Sequence, residues 1–191
     1  MQKSRLEAFS DGVLAIIITI MVLEIKVPKG QDWTDLMPLL PKLLSYVLSF
    51  LYVGIYWGNH HHLVHTAGRV TSGIMLANLN LLFWLSLIPF TTGWLGENDF
   101  ASKPVMLYSI NLFLAAIAYF ILQKAVEKTT SAHPRLSTAL QKHTRKGIIS
   151  QIAYSLAIAG SFVSPVVSMS LIFFVAILWL IPDQAIEKAL Q

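Results

Sequence analysis

Arg5-Leu6-Glu7-Ala8-Phe9-Ser10-Asp11 runs without a break into Gly12-Val13-Leu14-Ala15-Ile16-Ile17-Ile18-Thr19-Ile20-Met21-Val22-Leu23, an apolar stretch with one hydroxyl and no charge. A charged and hydroxylated cluster at the mouth of a membrane segment is costly, so it needs a reason. The rest of the chain agrees with a membrane reading. Of 191 residues, 55% are hydrophobic and 13% charged, with a mean hydropathy of +0.62. Soluble domains carry about 25% charged residues, so roughly half the usual charge is missing. The chain reads as an all-α integral membrane protein.

A bilayer-crossing helix needs about 20 mostly apolar residues. Six spans are expected, over residues 7–27, 38–63, 72–95, 104–126, 147–165 and 167–183, as a single six-helix transmembrane domain covering 1–191. Pro28 ends the first span, Pro41 lies in the opening turns of the second, and Pro89 ends or kinks the third. Ser164-Pro165 reads as a tight turn between the last two. Residues 127–146 read as a polar connection whose second part is helical. The first apolar run lacks a small-residue cleavage site before Glu24, so the first helix is expected to stay in the mature protein. No internal repeat is apparent.

Positive charge assigns the sides. Lys3 and Arg5, then Arg69, then Lys124, Lys128, Arg135, Lys142, Arg145 and Lys146 all fall on one side of a six-span chain. By the positive-inside rule that side is cytoplasmic and holds both termini. The net charge of +4 therefore reflects topology, and no nucleic-acid partner is expected. The absence of cysteine removes disulfides, thiolate catalysis and thiolate metal sites.

At roughly 100° per residue, Gly12, Ile16, Thr19, Ile20, Leu23 and Val27 share one stripe of the first helix, continued by Arg5 and Phe9. Ser10 and Asp11 point elsewhere. On periodicity alone, Ile16, Ile20 and Leu23 fit a bundle core or a lipid face. Several copies around a pore would instead form hydrophobic constrictions, which gate by dewetting. Ser10 and Asp11 need polar partners at membrane depth. The end of the second span supplies Trp57, Asn59, His60, His61 and His62, and the start of the third supplies Asn78 and Asn80, all at the same level. His61 and His65 have the i, i+4 spacing that suits zinc. No Glu accompanies them, as it does in H-E-x-x-H, and no metal is expected.

The R-x-x-x-F-S-D pattern at the head of the first helix, Arg5 through Asp11, resembles the signature of the transmembrane-protein-175 potassium channels. Trp57 followed three residues later by His60 is similar to that family too. The resemblance implies a homotetramer around a pore lined by the first helix, with no pore-loop filter, and passive potassium-selective conduction across the inner (plasma) membrane. It implies a narrowest ring at Ile16, further apolar rings at Ile20 and Leu23, and a hydroxyl at Thr19. It also implies a structural network of Arg5, Phe9, Ser10, Asp11, Trp57, His60 and Asn80. Potassium is the permeant ion, and no cofactor is implied.

An enzyme has little to stand on, since the sequence holds no phosphate-binding glycine loop and no nucleophile elbow. A proton-coupled secondary transporter using Asp11 and the histidines is the real rival. Transporters usually show inverted repeats and broken midplane helices, and neither is expected from the sequence.

Overall fold

The computed structural model describes residues 2–130 and 134–180, without the side chains of 134–142. It is all-helical there: α1 (Lys3–Leu23), a 3-10 helix (Trp33–Leu39), α2 (Leu40–His65), α3 (Ser72–Ser86), α4 (Ile88–Glu97), α5 (Ser102–Glu127), α6 (Pro134–Gly160) and α7 (Pro165–Leu180). Four stretches are long and apolar enough to cross a bilayer: Lys3–Leu23, Trp33–His65, Ser72–Glu97 and Ser102–Glu127. Helix α7 is apolar but shorter. The C-terminal end of the expected last span lies outside the described residues.

Helix α1 buries Leu6, Ser10, Leu14, Ile17 and Met21. These recur at intervals of three and four and so form one face. Its N-terminus is tied to the end of α2, where Lys3 Nζ donates to the His65 carbonyl at 2.8 Å. A cation at a helix C-terminus opposes the macrodipole there. Helix α5 occupies the centre of the bundle and packs on α3, α4, α6 and α7. Its Val105, Tyr108, Leu112, Ala115, Ala118 and Leu122 are almost wholly buried.

The expected third span, 72–95, is two helices rather than one. Pro89 has no N–H to continue the ladder, and its ring disfavours helix immediately before it. Helix α3 accordingly stops at Ser86 and α4 starts at Ile88. At the start of α4 the carbonyls of Leu87 and Ile88, the first of them already taking the Thr91 backbone N–H, accept from Thr91 Oγ1 at 3.3 and 3.1 Å. Asn111 Nδ2 on α5 donates to that same oxygen at 3.3 Å. Close by, Ser49 Oγ bonds Thr92 Oγ1 at 2.6 Å and Tyr108 OH at 2.9 Å, tying α2, α4 and α5 together. At the break the Leu87 N–H turns to the Trp84 carbonyl at 3.3 Å, and a broken helix is tolerated at membrane depth where local bonds and buried polar partners of this kind are at hand. The expectation that no broken helix would occur is thus corrected. Likewise α6 ends at Gly160, short of 165, and residues 161–164 make the turn before Pro165. Ser168 on α7 is buried and donates from Oγ to the Ala157 carbonyl of α6 at 2.7 Å.

Gly96 marks the closest approach of α4 to α2. A Cβ there would lie 2.5 Å from Ser45 Oγ and 2.8 Å from Lys42 Cα. Backbone cannot yield as a flexible side chain does. Gly96→Ala is expected to separate the two helices and cost about 1–3 kcal/mol, as overpacking does. Thermal unfolding of the detergent-solubilised protein measures this, and an unchanged midpoint would contradict the close crossing.

Candidate functional site

Two groups of residues carry chemistry, and both belong to α1 or touch it. The first is its uncovered side. Phe9 is 53% exposed, Ile16 59%, Ile20 43% and Leu23 75%, and Arg5, Gly12 and Thr19 are exposed too. They lie opposite the buried Ser10, Leu14, Ile17 and Met21, as the 100° spacing requires. Thr19 Oγ1 donates to the Ala15 carbonyl at 2.9 Å, so its hydroxyl hydrogen is turned back onto the helix. Beyond Arg5 at its head, this ladder of branched apolar side chains, left uncovered among the described residues, offers nothing polar except that hydroxyl's lone pairs.

The second group is polar and buried where α1, α2 and α3 meet. Ser10 is fully buried and donates from Oγ to the Leu6 carbonyl at 2.9 Å. Its oxygen accepts from Asn78 Nδ2 at 3.0 Å. Asn78 Oδ1 in turn lies 2.7 Å from His60 Nε2. The amide oxygen accepts, so the geometry calls for the proton on Nε2 of this imidazole. Three helices are thereby joined by two side-chain hydrogen bonds in a dry setting, where an unpaired partner is costly.

Asp11 takes a separate partner. Trp57 Nε1 donates to its Oδ1 at 3.0 Å on the exposed flank between α1 and α2. Of the residues expected in one network, Ser10 and His60 meet through Asn78, and Asp11 meets Trp57. Arg5 and Phe9 lie on the uncovered side of α1 and join neither link. Asn80 is only partly buried and takes no part, its expected place being filled by Asn78. Asn78 falls on the buried stripe of Ile74, Ala77, Leu81, Leu82 and Leu85, while Asn80 falls beside it.

His61, His62 and His65 are exposed, with His61 stacked on His65 at 6.2 Å between ring centroids. Among the described residues, no group of three or more histidine or acidic side chains is placed to hold a metal ion.

Residues 5–89 match the model of the family described as endosomal/lysosomal potassium channel TMEM175. Over its whole length the chain is similar to a potassium channel of Chryseobacterium sp. (strain P1-3). The two are 53% identical over 192 residues, covering 100% of this chain and 99% of that one. The chain belongs to the TMEM175 family. A potassium channel of Streptomyces collinus is 35% identical over 173 residues, covering 85% of this chain and 84% of the relative. In three dimensions the chain is similar to the crystal structure of a lysosomal potassium-selective channel TMEM175 homolog from Chamaesiphon minutus. That match has a TM-score of 0.81 at 27% identity and covers 95% of this chain and 97% of the other. The TMEM175 match at 5–89 takes in α1, α2 and the α3 helix up to its break, the segments that carry both groups of residues.

Proposed function

We propose that this chain is the subunit of a potassium channel that conducts passively along the exposed face of α1. The observation that carries the reading is that face itself: among the described residues, Ile16, Ile20 and Leu23 remain largely uncovered, at 59%, 43% and 75% exposure. Family membership supports potassium as the permeant ion. In this reading the chain crosses the bilayer six times, through α1, α2, α3 with α4, α5, α6 and α7. Both termini are cytoplasmic, on the side rich in lysine and arginine. One subunit has a single α1, so several copies must close a ring around the pore; the family resemblance puts their number at four, in the plasma membrane. Successive rings at Ile16, Ile20 and Leu23 then hold a narrow path that water leaves readily and a fully hydrated ion resists. The Ser10–Asn78–His60 link sets the rotation of α1 and so aims the ladder inward. No cofactor is required.

Asp11 is structural in this account, because it bonds Trp57 and lies off the isoleucine stripe. Asp11→Asn is expected to weaken the hold of α1 on α2 by about 1 kcal/mol, the loss of charge assistance to one hydrogen bond. Surviving channels keep their ion preference. Normal thermal stability together with abolished cation selectivity would refute this role and favour an acidic filter ring.

The break between α3 and α4 favours a second reading, a proton-coupled transporter, since broken helices are common in that class. Potassium flux into liposomes separates the two. A channel passes potassium down its gradient with the membrane potential clamped and no pH difference. A transporter couples the flux to protons at fixed stoichiometry, and its potassium uptake stops when the proton gradient is collapsed.

A further inference from the structure

The turn between α4 and α5 is built on two left-handed residues. Asp99 has φ 49° and Phe100 φ 58°, the only non-glycine residues with positive φ among those described. Glycine usually follows a helix C-cap in this conformation, because a Cβ there is strained. Here the N–H of Phe100 closes back on the Leu95 carbonyl at 3.1 Å and completes the helix end without glycine. Phe100 packs against the core and holds the turn in place. The strain falls on Asp99, whose side chain is exposed and has no ion-pair partner among the described residues. The neighbouring acid, Glu97, is already held by Lys42 at 3.2 Å. Strain kept at a polar residue points to a use for it.

Asp99 lies at the head of a groove of about 580 Å³, walled by Phe100 and by Pro165, Val166, Met169, Ser170 and Phe173 of α7. The α7 residues recur at intervals of three and four and make one stripe roughly 12 Å long. Nothing described fills it: Val166 is 71% exposed and Phe173 54%. Ser170 Oγ donates to the Val166 carbonyl at 2.9 Å, so the trough offers no side-chain donor along its length. Its polar groups sit at the head. Besides Asp99 these are the first N–H groups of α7, on Val166 and Val167, which have no carbonyl a turn earlier to meet. A helix start favours an anion and a carboxylate favours a cation.

We propose that this groove binds a bilayer phospholipid whose headgroup is zwitterionic and carries a primary amine, the phosphoethanolamine class. One acyl chain lies along Val166, Met169 and Phe173, the ammonium meets Asp99, and the phosphate faces the start of α7. A primary ammonium donates hydrogen bonds to a carboxylate, which a quaternary ammonium has no N–H to do. Lys103, exposed on the first turn of α5, balances the charge of Asp99 at this end, so a headgroup with both signs and no net charge suits it better than an anionic one. The leaflet, the one opposite the N-terminus, rests on the six-span reading above. The binding site does not rest on conduction.

Native mass spectrometry of the full-length protein in detergent reads the site. The protein is stripped of lipid and given phosphatidylethanolamine, phosphatidylcholine or phosphatidylglycerol with identical chains. Phosphatidylethanolamine is expected to bind on the order of fivefold tighter than phosphatidylglycerol, the range of an exposed charge pair, with phosphatidylcholine between them. Asp99→Asn should remove the preference while a lipid still binds. Asp99→Gly should remove it too and also raise the unfolding temperature of the lipid-free protein, because glycine takes the left-handed backbone without strain. That pairing separates a ligand-binding carboxylate from a structural one. Ser170→Trp fills the trough and should lose a bound lipid from each subunit, whatever its headgroup. Unchanged preference in both Asp99 variants, or tighter binding of the anionic lipid by the parent, overturns the headgroup assignment. Full lipid occupancy in Ser170→Trp overturns the site. So does a parent that binds no lipid because a second copy or another segment of the chain fills the groove.

Discussion

Ile16→Asn is expected to raise potassium conductance on the order of tenfold and to weaken discrimination against sodium, by wetting the narrowest ring. Ile16 is 59% exposed in the subunit, so the substitution opens no cavity in the core and folding is spared. Four copies would place amide donors and acceptors where only branched carbon had stood. Each 1.4 kcal/mol removed from the barrier is about a tenfold gain in rate, and replacing dewetted hydrocarbon by groups that bind water readily supplies that much. Single-channel recording in a bilayer measures both effects. Unchanged current and selectivity in a folded tetramer would move the constriction to Ile20 or Leu23. Unchanged currents for all three substitutions would remove the permeation path from this face of α1.

Asn78→Ala is expected to cost about 2–4 kcal/mol of stability. It deletes both links, to Ser10 Oγ and to His60 Nε2, in a place where neither partner can turn to solvent. The matched control is Asn80→Ala, two residues away and only partly buried, with an expected cost within about 0.5 kcal/mol. Thermal denaturation of the assembled protein in detergent distinguishes them. Equal losses for the two would contradict the rotation of α3 described above. Channels that survive Asn78→Ala should keep their preference for potassium, since the link lies on the opposite side of α1 from the exposed ladder.

The course of α1 was legible because one sequence feature dominated it. Apolar residues alone could not say which face was buried, but Ser10 beside a run of isoleucines marked the side that needed a partner, and Ser10 is indeed buried against α3. Pairing Asp11 with the second span was also readable from depth, and Trp57 meets it. Choosing between Asn78 and Asn80 required the phase of α3. That phase is weakly written, because both faces of α3 carry leucines, and Leu76 and Leu79 are exposed. The break at Leu87 was announced by Pro89, yet hydropathy runs straight across it and made one span of two helices. The groove beside Asp99 was invisible for a different reason. Its other wall comes from α7, so no local pattern marks it, and Asp99 itself reads as one acid of a short loop. Sequence periodicity reports which face of a helix is buried; it does not report which helix covers that face.

Passive potassium conduction is read from the bi-ionic reversal potential. Purified protein is placed in a planar bilayer with potassium on one side, sodium on the other and equal pH. A steady current is expected, with a reversal potential displaced toward the potassium equilibrium by about 59 mV for each tenfold of permeability ratio. The same displacement should persist when a pH difference is imposed. A reversal potential at zero, or a current that exists only with a proton gradient and follows it, would rule out passive potassium-selective conduction.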